Sequence, residues 1–293
     1  MKTYLTLTKF GIAVFVLITG LAGYAVALPM GQPVEMIEPV LLLLGLYLLS
    51  SGSFALNQAQ EKDMDGLMPR TAKRPVVTGT IAKWQAYVLG FSFVAIGSLF
   101  LALLHPNAAY AGLFTVLFYN VFYTMYWKPQ WTFGAVPGAI PGAMPVVVGY
   151  AATGQPVFST ECVYLFMIMF FWQMPHFWSL AIRYKDDYAQ GGFPVLPAKL
   201  GVDRTLYHIG LYTLAYVGLA LVAPLFLETH VLHLLLVIPF SLKVAWEFMK
   251  YFRSQKREAW LPFFLWVNLS MLVFVAAPVF DRWLKYYLEV GGL

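Results

Sequence analysis

Asn57, Glu61 and Asp65 stand at i, i+4 and i+8 in the stretch NQAQEKDMDGLMPRTAKRPV. On a helix each step of four residues advances by only about 40°, so the three oxygen-bearing side chains share one stripe. Such a stripe suits Mg²⁺, which takes one or two carboxylates and completes its shell with water and substrate phosphate. Asp63 falls on the opposite face. Gly66 is expected to end the helix, and Pro69 reinforces the stop. Beyond it, Arg70, Lys73 and Arg74 bring cations within reach of a phosphate held there, arginine in the bidentate mode. The plainer reading is a solvated helix end whose opposite charges pair with each other.

A second stretch, WQMPHFWSLAIRYKDDYAQGGFPVLP, weighs against that plainer reading. It places Trp172, His176, Ser179, Arg183 and Asp187 on one helical stripe, at steps of four, three, four and four residues. A polar track inside an apolar span is a functional hypothesis by default. Pro175 withdraws a backbone donor and is expected to kink the helix. Asp186 and Asp187 form a second acidic group, and the two groups together resemble a bridged-metal site for a diphosphate. His176 either hydrogen-bonds within the bundle or touches substrate. Lys128, after YNVFYTMYW, either reaches a phosphate or only anchors the topology. His230 and His233, at i and i+3, could ligate a metal or haem, although interfacial histidines are more often merely solvated.

The elements that carry these residues are apolar. The 293 residues are 60% hydrophobic and 11% charged, with a mean hydropathy of +0.69. Nine runs are long enough to cross a bilayer as helices: 10–27, 37–56, 84–104, 108–126, 135–152, 163–182, 206–227, 231–248 and 261–280. The alternating pattern of a transmembrane β-barrel is absent. The expectation is an all-α polytopic membrane protein, nine transmembrane helices in one bundle, forming a single membrane-embedded domain over residues 1–293. Lys2, Lys9 and the AVAL near position 27 would suit a cleaved signal peptide, but the length of the first run reads as a retained helix. With the amino terminus inside, every lysine and arginine except Arg282 and Lys285 falls on the inner side. This asymmetry puts the amino terminus in the cytoplasm and the carboxyl terminus outside. The net charge of +5 thus reflects topology, and no nucleic-acid motif is present. Two inner connections, 57–83 and 183–205, are long and polar, and their spacing four helices apart suggests an internal duplication. The lone cysteine, Cys162, excludes an internal disulfide.

These features resemble the UbiA-type intramembrane prenyltransferases, whose first signature is Asn-x-x-x-Asp-x-x-x-Asp. Here it reads Asn57, Glu61, Asp65, with Glu61 in place of the usual aspartate. The second signature carries several acids at four-residue spacing. The corresponding positions are Ser179, Arg183 and Asp187, and only the last is acidic. MPHFWSLAIRYKDDYAQGGFPVLP, MPRTAKRPV and LTKF resemble the haem-modifying branch of the family, over essentially the whole chain. The resemblance implies Mg²⁺ held by Asn57, Glu61, Asp65 and Asp187, with Asp186 beside them. It implies farnesyl diphosphate bound through Arg70, Lys73, Arg74, Arg183 and Lys128. Trp172, His176 and Ser179 would line the cavity for protoheme IX. The implied reaction ionises the allylic diphosphate, joins farnesyl to the haem 2-vinyl group and adds water, giving haem O. The implied setting is the bilayer of the cell inner membrane, with the site on the cytoplasmic side and haem A synthase or terminal oxidase assembly downstream. Two alternatives stay open: prenylation of a quinone precursor or other aromatic acceptor, and a transporter. A transporter would favour charge near the bilayer midplane, whereas these acids gather at the inner surface.

Overall fold

The computed structural model describes residues 2–31, 33–254 and 257–290. Lys256, and the side chains of Lys2 and Arg257, all counted among the inner charges, lie outside the described residues. Among the described residues there are nine helices of seventeen residues or more and no strand. They are α1 (Phe10–Ala27), α2 (Ile37–Gln60), α3 (Lys83–Leu104), α4 (Pro106–Gln130), α5 (Ala135–Ala151), α6 (Thr160–Arg183), α7 (Val202–Leu221), α8 (Val231–Ser254) and α9 (Arg257–Val290). They occupy the nine expected runs, but seven of them are long and apolar enough to cross a membrane. The two outside that set are α5, which is shorter, and α7, which opens on the polar Asp203 and Arg204. Helix α9 also runs to Val290, well past the expected end at Phe280.

Each helix packs on the next in sequence, and α9 closes the ring on α1. Helix α5 packs on α1 and α6, and α6 packs on α9, which fills the middle of the bundle. In lipid there is little hydrophobic drive between apolar helices, so close van der Waals packing must hold them. Helix α3 shows how the sequence arranges this. Trp84, Val88, Phe91, Leu99 and Leu103 are exposed along one stripe, and Ala86, Gly90, Val94, Gly97 and Leu101 are buried along the other. A Cβ added at Gly52 of α2 would lie 2.6 Å from the Gly90 carbonyl oxygen, and one at Gly97 would lie 2.7 Å from the Leu49 nitrogen. Only glycine permits that approach. At the far end, Arg282 of α9 donates to the Val26 carbonyl, and Trp283 Nε1 donates to the Ala25 carbonyl at 3.2 Å.

Two local details differ from expectation. Helix α2 ends at Gln60, and Glu61 caps it before a short helix, Lys62–Leu67. Gly66 lies inside that short helix, which ends at Leu67 with the extended Met68 as its cap, just before Pro69. The second detail is a π-helical stretch, Phe118–Trp127, within α4. Stretches of this kind are rare and concentrate at functional sites. Helix α6 runs on through Pro175.

Candidate active site

A cavity of about 430 Å³ opens between α1, α2, α4, α5 and α6. One end is charged, lined by Lys9, Glu61, Asp65, Arg70, Arg74 and Lys128. The rest is largely apolar, with Phe15, Leu46, Leu49, Val148 and Met169 among its walls. From Glu61 to Leu46 along α2 is roughly 22 Å at the rise of an α-helix. A charged pole with a long apolar arm suits an amphiphile with an anionic head.

The pole is built by short-range helix geometry. Glu61 N donates to the Asn57 carbonyl at 2.9 Å and Asp65 N to the Glu61 carbonyl at 2.8 Å, so helical spacing survives the break after Gln60. Glu61 and Asp65 are both buried, while Asp63 is exposed. Lys128 donates to Glu61, and Arg74 donates to Asp65 and lies 4.0 Å from Glu61. Burial alone would raise the Glu61 carboxyl, but Lys128, Lys9 and Arg74 together hold it below the usual carboxylate range. Asp65 goes the other way: burial raises it, and Arg74 offsets this only in part. Four basic side chains stand against two carboxylates at the pole.

Oxygen ligation of a metal fits this arrangement. Asp65 Oδ1 is buried without a hydrogen-bond partner, an unmet acceptor of the kind a cation satisfies. No group of three His, Cys, Asp or Glu side chains capable of caging a metal occurs among the described residues. That donor set matches Mg²⁺, which keeps water and substrate oxygens in its shell, better than a metal held wholly by protein. Asn57 is fully buried and engaged on both sides. Its Oδ1 accepts from Lys9 Nζ at 3.0 Å, and its Nδ2 donates to Thr124 Oγ1 at 3.2 Å.

The remaining sequence candidates divide. Trp172 and His176 line the cavity, with ring centroids 4.8 Å apart, and Trp172 Nε1 donates to the Val267 carbonyl at 3.1 Å. Ser179 is fully buried and bonds the His176 carbonyl at 2.9 Å, so it faces its own helix and not the cavity. Arg183 lies over the rings of Tyr184 and Trp260, also outside the lining. Lys73 is exposed, as is Asp186, and Asp187 is half-buried; none of the three lines the cavity. What the second loop brings to the lining is aromatic: Tyr188. Tyr188 and Phe193 pack with Met68 of the first loop, and Arg70 lies over the Tyr184 and Tyr188 rings. His230 and His233 are elsewhere, with their backbone amides donating to the buried carboxylate of Asp281.

Sequence reasoning passed over Asn120 and Thr124, which form a polar stripe with Lys128 at steps of four residues in α4. Asn120 accepts from Ser53 Oγ at 2.6 Å and donates to Gln60 Oε1 at 3.1 Å. The signal was available, because two amides or hydroxyls at that spacing inside an apolar run are unusual. Lys9, in the LTKF stretch and among the inner charges, also lines the pole.

The chain matches the UbiA prenyltransferase family over residues 16–269. It is 52% identical over 283 residues to "Protoheme IX farnesyltransferase" of Bdellovibrio bacteriovorus, covering 97% of each chain. Among solved structures it resembles a digeranylgeranylglyceryl phosphate synthase, with a TM-score of 0.77, 16% identity and coverage of 96% of this chain and 97% of that one. It also resembles a UbiA homologue from Archaeoglobus fulgidus bound to GPP and Mg²⁺, with a TM-score of 0.63, 20% identity and coverage of 94% and 99%. The helical bundle, the Asn57–Glu61–Asp65 stripe and these matches place the chain in the UbiA prenyltransferase family.

Proposed function

We propose that the chain transfers the farnesyl group of farnesyl diphosphate to the 2-vinyl group of protoheme IX, with addition of water, to give haem O and diphosphate. The acceptor rests on the near full-length likeness to the Bdellovibrio relative. The chemistry rests on one observation: a charged pole holding Glu61, Asp65, Arg74 and Lys128 at the head of an apolar arm.

Glu61 and Asp65 would hold Mg²⁺, with Asn57 behind them. Asp187, next to the cavity-lining Tyr188, is a proposed further ligand from the second loop, with Asp186 beside it. When bound, Mg²⁺ supplies positive charge against the leaving diphosphate. Arg70, Arg74 and Lys128 stabilise the same charge as the allylic C–O bond breaks and its electron pair leaves with the diphosphate. Lys73 and Arg183, outside the lining, would act by attraction at longer range. The haem vinyl carbon then bonds to the farnesyl cation. Water adds to the resulting cation and loses a proton, which balances the product as a hydroxyethylfarnesyl chain. Tyr119 and Tyr123 wall the cavity beside the pole, where ring faces attract a cation and exclude water. Trp172 and His176 are the proposed contacts for the tetrapyrrole. The same reading takes all nine helices through the inner membrane, with the pole and both loops on the cytoplasmic side, as the lysine and arginine distribution suggests. The product would pass to haem A synthase or to terminal oxidase assembly.

Detergent-purified protein incubated with farnesyl diphosphate, Mg²⁺ and haem b should yield haem O by mass spectrometry, and chelation of Mg²⁺ should stop it. An adduct with 4-hydroxybenzoate but none with haem would sink the haem reading and leave a quinone-type prenyltransferase.

A further inference from the structure

Lys9 is the one non-glycine residue with a left-handed backbone among the described residues, at φ 47° and ψ 50°. That conformation is disfavoured for a residue with a Cβ and tends to persist only where the surroundings enforce it, often at functional sites. Here it breaks the chain between the short helix Lys2–Leu7 and α1.

The surroundings that enforce it are specific. Leu7 is fully buried in a pocket with Ala55, Ala59, Val76, Ile81 and Ala86. Gln58, itself buried, donates through Nε2 to the carbonyls of Thr6 at 3.0 Å and Leu7 at 2.8 Å. The segment before α1 is therefore fastened to α2 one residue beyond Asn57. With the backbone so held, the Lys9 side chain enters the charged pole. Its ammonium donates to Asn57 Oδ1 at 3.0 Å and lies 5.1 Å from the centre of the Phe54 ring.

Lys9 differs from Lys128 and Arg74, though not from the exposed Arg70, in one respect. Lys128 and Arg74 each meet a carboxylate, whereas no carboxylate lies within 4.0 Å of Lys9 Nζ among the described residues. Its partners are a neutral amide and a ring. A partly buried amine on a cavity wall, bonded to a neutral amide and feeling the Glu61 carboxylate only from beyond 4.0 Å, keeps donors free for an anion that comes from elsewhere.

We propose that Lys9 is a diphosphate-binding residue, delivered to the pole by the segment ahead of the first helix, and that Gln58 is the residue that positions it. This rests on the farnesyl diphosphate reading above. Lys9 then forms a charge-assisted hydrogen bond to a diphosphate oxygen at the same pole as Arg74 and Lys128.

The test is a comparison of ligands on the full-length protein in detergent. Affinities are measured by calorimetry for farnesyl thiodiphosphate with Mg²⁺ and for farnesol, and by absorbance titration for haem b. Lys9→Met should weaken farnesyl thiodiphosphate by about tenfold or more, the size of one lost charge-assisted bond. Farnesol and haem b should bind as in the unmodified protein, and Lys9→Arg should restore most of the thiodiphosphate affinity. Lys9→Gln, which keeps a donor for Asn57 without the charge, gives the same readout if the methionine variant does not stay folded. Unchanged thiodiphosphate affinity in both neutral variants overturns the proposal, as does an equal loss for farnesol and haem b. If the unmodified protein fails to bind farnesyl thiodiphosphate at all, the parent reading falls and this one with it.

Discussion

Glu61 accepts a hydrogen bond from Lys128, sixty-seven residues further along the chain, and the same separation recurs twice. Asn57 bonds Thr124 and Ser53 bonds Asn120, again sixty-seven residues apart. A constant offset means that α2 and α4 run parallel in fixed register, with α3 antiparallel to both. Each step of four residues adds a polar rung, and the last rung is the charged pole. The ladder thus sets the height of Glu61 relative to Lys128.

Breaking the middle of that ladder should disturb its end. Asn120→Leu removes the side-chain partner of Ser53 and Gln60 and leaves the buried Ser53 hydroxyl without it. The expected cost is about 1 kcal/mol of stability, in the range of interhelical hydrogen bonds in membranes. Turnover should fall more than stability alone explains, because Lys128 loses its alignment. Thermal unfolding in detergent, set beside haem O formation, separates the two. Full turnover with reduced stability would mean that the rung is structural only.

Asp65 carries the buried oxygen that lacks a partner in the chain. Asp65→Asn keeps the shape and removes the charge. Turnover should fall on the order of 10²-fold or more, while folding and haem b binding persist. The mutant should also need more Mg²⁺ for half-maximal turnover. Wild-type Mg²⁺ dependence in this variant would remove Asp65 from the metal site.

The apolar arm should act as a ruler for the prenyl chain. Ser50 lines it on α2, eleven residues before Glu61, or roughly 16 Å from the pole. Ser50→Phe fills the arm beyond that point. The variant should lose farnesyl transfer and retain or gain geranyl transfer, read as a reversed ratio of kcat/KM for the two diphosphates. An unchanged ratio would show that the chain lies elsewhere.

Asp281 supplies a contrast at the other end of the bundle. Its buried carboxylate accepts from the backbone amides of His230, at 2.5 Å, and His233, at 3.0 Å, at the start of α8. It acts as a helix cap supplied by another helix. Asp281→Asn should cost about 1 kcal/mol, as other cap losses do, and leave KM for farnesyl diphosphate unchanged. A raised KM without loss of stability would tie this end to the substrate site.

The two loops were legible in different degrees. Asn57, Glu61 and Asp65 share a stripe because helix period alone places them there, and the structure keeps that stripe across the break after Gln60. Trp172 and His176 follow the same rule on α6. Ser179 sits on the same predicted stripe but bonds back to its own helix. Arg183 lies where α6 ends, and stacks on Tyr184 and Trp260. Period gives direction around a helix, and says nothing of whether a neighbour, a ring or a cavity stands opposite.

By itself the sequence determined what is local and periodic: the helical runs, the acidic stripe, the basic stretch after it and the uneven placement of charge. Helix geometry and the cost of burying charge in lipid are enough for that. Only the tertiary structure decided which partners meet across long separations. It paired Lys128 with Glu61, set Tyr188 in the cavity wall where acids had been expected, and turned Lys9 inward beside Asn57. Those contacts depend on helix register and close glycine packing, which are properties of pairs of helices and are written in neither one alone.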